Sequence, residues 1–258
     1  MNIAIITGAS SGIGEAFVRE VAKLDYDEIW VLARRVERLS SLRDELGSKI
    51  VPIKIDLLDR NSITQFEQKL TADKPEIGLL INCAGMGKRA EVSEQTRAQI
   101  EETIELNCTA LSSMTRICIP FLKERTPARK ARIINIASSA GFLPQPGFAI
   151  YAASKSYVIS FSRGLGYELK KEGITVTAVC PGPVNSEFLE KSTDGKETKF
   201  GGIRGICAVK AEDLAKAALK AAMRGKKLFV YGFMQKCLHV ASKLLPTDVI
   251  LWLETKLM

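Results

Sequence analysis

Asn2-Ile3-Ala4-Ile5-Ile6-Thr7-Gly8-Ala9-Ser10-Ser11-Gly12-Ile13-Gly14 opens the chain and decides how the rest is read. The first six residues are a short apolar run of strand type. Glycines at 8, 12 and 14 then allow a tight turn. Beyond it Ile13, Ala16, Phe17, Val21 and Leu24 share one helical face. A strand, a glycine turn and a helix start in that order bring unpaired N–H groups and a positive helix end to one point, which suits a pyrophosphate. The spacing is Gly-x-x-x-Gly-x-Gly, not the commoner Gly-x-Gly-x-x-Gly, and the absence of a Gly-Lys-Ser/Thr ending excludes a P-loop.

The alternation continues outward from this unit. Apolar runs at 28–33, 49–55, 78–82, 132–137, 174–180 and 227–231 are separated by amphipathic stretches. One of these follows Tyr151, where Val158, Phe161, Leu165 and Leu169 share a face up to Gly173. Continuous apolar strands between helices predict a parallel sheet covered on both faces, hence one doubly wound α/β domain over residues 1–258. Two segments break the rhythm. Residues 186–206 are polar and rich in glycine, as a lid over a substrate would be, and 233–258 form a partly apolar helical tail around Pro246.

Composition narrows the class without deciding it. The 258 residues carry 37 Lys and Arg against 29 Asp and Glu, a net charge of +8 that suits an anionic ligand, yet no basic and aromatic stripe points to nucleic acid. Six cysteines at 83, 108, 118, 180, 207 and 237 form no Cys-x-x-Cys pair. They read as reduced, mostly buried thiols, and the strand-like N-terminus resembles no secretory leader, so the expected location is the cytoplasm. His239, the one histidine, has no metal-ligand partners by spacing; no metal site is expected.

Other candidate ligand residues fall where strands end. Ala33-Arg34-Arg35 closes the second run; two guanidiniums there suit the 2′-phosphate of NADP(H), whereas a carboxylate would suit NAD(H). Arg34 is the stronger candidate and Arg35 the weaker, since it could simply start the next helix. Asp56, followed by Leu57, could accept from an adenine amino group, and the backbone of Asn82-Cys83-Ala84-Gly85 could lie against a ribose.

Tyr151-Ala152-Ala153-Ser154-Lys155 adds chemistry to the nucleotide end. At i,i+4 the phenol and the ammonium share a helix face, where the lysine charge would favour the tyrosinate and ease proton transfer. Ser138, just after the run at 132–137, could put a hydroxyl into the same crevice.

With Thr7 to Gly14, Asp56, Asn82-Cys83-Ala84-Gly85, Asn107, Ser138, Tyr151 to Lys155 and Pro181-Gly182 in order, the chain resembles the short-chain dehydrogenase/reductase family over about its first 230 residues. The resemblance implies a seven-stranded Rossmann fold and hydride transfer between a nicotinamide and a carbonyl or alcohol. It implies Tyr151 as general acid/base, Ser138 as the hydroxyl polarising the substrate oxygen, and Lys155 as the group that binds the nicotinamide ribose and lowers the tyrosine pKa. Asn107 would hold a water in a proton relay. Gly8, Ser10, Ser11, Gly12, Ile13 and Gly14 would cradle the phosphates, and Pro181, Gly182, Val184 and Ser186 would pass the nicotinamide. Cys83 and Ser186 depart from the usual Asn and Thr, and Arg34-Arg35 resembles the NADP-preferring branch.

The substrate is less legible. Met86, Phe142, Leu143, Phe148, Phe188 and Leu189 would form an apolar lining for a bulky hydrophobic ketone or secondary alcohol, such as a steroid or fatty ketone. The expected activity is that of a carbonyl reductase or hydroxysteroid dehydrogenase. A 3-oxoacyl thioester reductase and a non-catalytic NADP(H)-binding regulator are the alternatives. A homodimer or homotetramer is expected. The tail would pack on the domain, between subunits, or against a membrane surface, being too short to span one.

Overall fold

Apolar runs become strands here because both of their faces are covered. In the first strand Ala4 and Ile6 pack into one hydrophobic cluster while Ile3 and Ile5 pack into another on the opposite face. The computed structural model describes residues 1–123, 130–196 and 208–251. Its strands are β1 (Asn2–Thr7), β2 (Glu28–Ala33), β3 (Ile50–Lys54), β4 (Glu76–Asn82), β5 (Arg132–Ile136), β6 (Thr175–Cys180) and β7 (Leu228–Val230). They form one seven-stranded sheet in the order β3-β2-β1-β4-β5-β6-β7, with each neighbouring pair parallel.

The helices are α1 (Gly12–Val21), α2 (Val36–Leu46), α3 (Arg60–Asp73), α4 (Arg97–Ile104), α5 (Leu111–Lys123), α6 (Ala149–Glu168), α7 (Glu187–Ser192), α8 (Ala211–Met223) and α9 (Phe233–Leu244). Phe17 of α1, Leu39 of α2 and Leu214 of α8 cover one face of the sheet; Phe66 of α3, Met114 of α5 and Leu165 of α6 cover the other. This is the doubly wound arrangement expected, and the seven expected strands differ from those observed only at their ends.

Strand order reverses between β1 and β4, so the connections leaving these two strands diverge to opposite sides and open a crevice beyond their carboxyl ends. All the expected ligand motifs lie at this end of the sheet. Helix α6 finishes in a 3₁₀ turn, Leu169–Glu172, and stops at Gly173, whose φ of +70° terminates the helix as its sequence position predicts. Between α4 and α5 the chain passes through a π-helical turn, Glu105–Ala110, which no sequence periodicity announces.

Of the expected lid at 186–206, residues up to 196 include α7, and 197–206 lie outside the described residues. The tail is described as far as residue 251. Its helix α9 packs on the 3₁₀ turn Ser139–Phe142, with the His239 ring 4.4 Å from that of Phe142. Its other face leaves Phe233, Cys237, Val240 and Leu244 exposed. Among the described residues no helix is long and apolar enough to cross a membrane, and no cluster of side chains could hold a metal.

Candidate active site

Two strand ends are tied together at the floor of the crevice. The Thr7 hydroxyl, at the end of β1, accepts from the backbone N–H groups of Cys83 and Ala84, just past β4, at 3.0 and 3.2 Å. Gly8 has a φ of +66°, and a Cβ on it would stand 2.7 Å from the Ala84 nitrogen. A Cβ on Gly14 would stand 2.1 Å from the Gly8 oxygen, so both glycines are required by the close packing of turn, strand and helix. Ser11 caps α1 in position only, because its side chain makes no capping bond, and the first N–H groups of the helix have no side-chain acceptor from it. Ser10 is buried, Ser11 and Gly12 are half-buried, and Ile13 packs on the core. Such a cradle fits a dinucleotide pyrophosphate.

The arginines divide differently from the sequence expectation. Arg34 is exposed and makes no hydrogen bond or ion pair with a described residue, whereas Arg35 turns back over the glycine turn. Its guanidinium donates to the Ser11 hydroxyl at 2.8 Å and to Ser10 at 3.2 Å. Arg38, one helical turn along, joins it at the carboxylate of Glu187: Arg35 meets one oxygen at 2.9 Å and Arg38 the other. Burial pushes the Glu187 carboxyl up, but hydrogen bonds from Arg38, Lys191 and Arg35 outweigh it and hold the group at about 2. Arg38 and Glu187 were not anticipated. The Arg35-x-x-Arg38 spacing on the first turn of α2 was a readable signal for the former; nothing local marked the latter.

Other nucleotide-end residues take narrower roles. Asp56 spends one oxygen on the Leu58 N–H at 3.0 Å, and Leu57 beside it is buried. Asn82 turns inward: its amide donates to Thr115 and to Asn135, each at 2.9 Å, inside the sheet. The Asn82 side chain is therefore committed to the interior, while Cys83 and Ala84 are half-buried and Gly85 is exposed.

At the opposite side β5 delivers Ser138 and α6 delivers Tyr151 and Lys155. Ser138 has extended backbone and caps the 3₁₀ turn by accepting from the Ala140 N–H at 3.1 Å. That turn is fastened to the end of β6 by the Ser139 N–H donating to the Pro181 oxygen at 2.8 Å. Burial raises the Tyr151 phenol to about 12, with a hydrogen bond from the Ser138 hydroxyl pulling the other way. Lys155 is not among the groups that lower it. Its ammonium lies 5.6 Å from the tyrosine ring centre and donates to the Ile136 oxygen at 2.9 Å. Burial brings the lysine down to about 8, against nearby Cys83, Cys108 and Cys180, whose thiols act in the opposite sense. Tyr151 thus keeps its proton, and Lys155 is the group poised to change charge near neutral pH.

Asn107, in the π-helical turn, is fully buried. Its Oδ1 accepts from the Met86 N–H at 2.9 Å, and its Nδ2 donates to the Met86 oxygen at 2.7 Å and to the Ser154 hydroxyl at 2.9 Å. All the hydrogen bonds of this amide are thus made within the protein, to Met86 and Ser154. Gly85 lies beneath both catalytic-end groups: a Cβ there would stand 3.2 Å from Asn107 Oδ1 and 3.3 Å from Lys155 Nζ.

Of the expected substrate lining, Phe148 stacks on Tyr151 with ring centres 4.3 Å apart, and Phe188 of α7 meets the same ring at 5.3 Å. Leu143 and Leu189 are buried, Phe142 is taken up by His239, and Met86 is half-buried. Pro181 and Val184 are buried, Val184 bridging to Val209, while Ser186 stands against Gly12. Gln235 of α9, another unanticipated neighbour, is buried between Gly182 and Gly232, where side chains larger than hydrogen would collide with its amide.

Comparison with known proteins agrees with this fold. The short chain dehydrogenase family model matches residues 2–197. The chain is 34% identical over 220 residues to the NADP-dependent 3-hydroxy acid dehydrogenase YdfG of Escherichia coli (strain K12), covering 83% of this chain and 86% of that protein. A short-chain dehydrogenase from Sphingobium yanoikuyae, solved in complex with NADPH, superposes with a TM-score of 0.78 at 31% identity over 100% of this chain and 95% of that one. The bulky-bulky ketone specific alcohol dehydrogenase from Comamonas testosteroni does so with a TM-score of 0.74 at 30% identity, over 89% and 86% of the two chains.

Proposed function

Because the chain belongs to the short-chain dehydrogenase/reductase family, we propose that it is an NADP(H)-dependent oxidoreductase interconverting a bulky hydrophobic ketone and its secondary alcohol. The observation that carries the reading is the meeting of Ser138, Tyr151 and Lys155 at the carboxyl ends of the strands, beside the glycine cradle of β1 and α1. NADP(H) bound in that cradle supplies or accepts the hydride.

The side chains divide the remaining work. In reduction the substrate carbonyl accepts hydrogen bonds from the Ser138 and Tyr151 hydroxyls, and the phenol gives up its proton as negative charge develops on the oxygen. Lys155 binds the nicotinamide ribose, and its ammonium, 5.6 Å from the tyrosine ring centre, faces the phenolate so formed. Asn107 holds the Gly85 to Gly87 segment in place. Arg35 and Arg38, rather than Arg34, receive the 2′-phosphate through charge-assisted hydrogen bonds.

Phe148 and Phe188, set on two sides of the tyrosine ring, favour an apolar substrate. The similarity to a 3-hydroxy acid dehydrogenase supports a second reading, a substrate with a carboxylate near the reacting carbon. The test is a panel of steroid, fatty and aryl ketones, 3-oxo acids and 3-oxoacyl thioesters with purified protein, following NADPH absorbance. Turnover of hydrophobic ketones that disappears in Tyr151→Phe, with NADPH binding retained, is expected. Full activity of Tyr151→Phe would refute the assignment, and exclusive turnover of 3-oxo acids would select the second reading.

A further inference from the structure

Glu187 is the first residue of α7 and lies 152 positions from Arg35, yet its carboxylate sits among the cations gathered over the glycine turn. One oxygen takes Arg35 at 2.9 Å and Lys191 at 2.9 Å; the other takes Arg38. Arg35 meanwhile holds both serine hydroxyls of the turn, and Arg38 reaches the Ser10 carbonyl at 3.5 Å. Ser186, just before Glu187, lies against Gly12, so the start of α7 is laid directly on the start of α1. Ser11, Gly12, Arg38, Ser186 and Glu187 line a cavity of about 310 Å³ at this junction.

Two guanidiniums converging on one small anion, beside serine hydroxyls and a helix N-terminus, are the complement of a phosphate monoester. A carboxylate satisfies that set incompletely, offering one negative charge and two oxygens. A phosphate offers three oxygens and nearly two charges. We propose that Glu187 is a specificity-determining residue for the cofactor: its carboxylate occupies the 2′-phosphate position on Arg35 and Arg38, and NADP(H) binds by displacing it. The inference rests on the NADP(H) reading above. An internal competitor multiplies the affinity of any ligand that needs the same guanidiniums by the fraction of time it has let go of them. NADH carries no 2′-phosphate and leaves the pair closed. Glu187 therefore restrains NADPH selectively and narrows the margin by which the protein prefers it.

The pairs are between one third and one half exposed, so their grip is modest, of the size of surface ion pairs. Removing it should raise NADPH affinity about three- to tenfold. The experiment measures dissociation constants of NADPH, NADH, adenosine 2′,5′-bisphosphate and 5′-AMP, by cofactor fluorescence and calorimetry, for wild type and Glu187→Gln. Thermal melting confirms that each variant is folded. Tighter NADPH and adenosine 2′,5′-bisphosphate, with NADH and 5′-AMP changed less than about twofold, is the expected result. Glu187→Asp, whose shorter reach weakens the pairing, should fall between. Unchanged or weaker NADPH binding in Glu187→Gln, or an equal gain for NADPH and NADH, would overturn the proposal while leaving the oxidoreductase reading intact. A wild-type protein that binds NADPH no better than NADH, and ignores adenosine 2′,5′-bisphosphate, would overturn the proposal and the NADP(H) preference it rests on.

Discussion

Replacing Asn107 by alanine should cost the protein about 3 kcal/mol of stability and at least tenfold in turnover. The side chain is fully buried and makes three hydrogen bonds, two of them to the main chain of Met86. Alanine orphans the Met86 N–H and carbonyl. Each costs about 1–3 kcal/mol when buried, and Met86 is half-buried, so the low end applies to each. The vacated volume adds roughly 1 kcal/mol for a small polar side chain that the surrounding turn cannot fully replace. Ser154 loses one partner but still donates to the Tyr151 carbonyl at 2.7 Å, so it adds little. Turnover falls through geometry: Gly85 lies against both Asn107 and Lys155, and freeing Met86 lets that segment drift from the lysine. Asn107→Asp keeps an acceptor for the Met86 N–H but sets a carboxylate against the Met86 oxygen, and should be at least as damaging. Urea unfolding followed by circular dichroism, with NADPH binding and ketone turnover measured on the folded fraction, checks all of this. A loss of less than about 0.5 kcal/mol in Asn107→Ala would refute the clamp.

The remaining expectations concern charge. Arg35→Ala should weaken NADPH about tenfold or more while sparing NADH, and Arg34→Ala should change either by less than about threefold; calorimetric titration of both variants checks the order. Burial lowers Lys155 to about 8 from its ordinary value of 10.5, so between those pH values the unfolded lysine holds a proton that the folded one has released. Stability therefore rises with pH across that window, and Lys155→Met should flatten the rise in a series of chemical melts. Ketone reduction should instead decline above about pH 8, as the charge facing the tyrosine is lost; a rate independent of pH up to 10 would count against that role.

Much of the scaffold was open to reading because its signals are local. Strand runs, the helical stripe behind the glycine turn and the stop at Gly173 depend on side-chain period and on φ, which neighbouring residues dictate. Tyr151 and Lys155 were legible for the same reason, since four residues on a helix amount to one face. What sets the acidity of the phenol was not. Burial, a property of the whole packed crevice, raises the phenol, and the Ser138 hydroxyl rather than the lysine opposes it.

The identity of the arginines shows the same division. Sequence alone placed two guanidiniums at the end of β2 and inferred an anion for them, because charge and strand position are written in order along the chain. Which of them turns inward was decided by α2, which carries Arg38 beside Arg35, and by α7, which brings Glu187 across from the far side of the sheet. The inward turn of Asn82 and the seat of α9 on the Ser138 turn were decided likewise. Spacing along a chain reports what one element can present; contacts between elements distant in the chain exist only once hydrophobic burial has chosen how the layers stack.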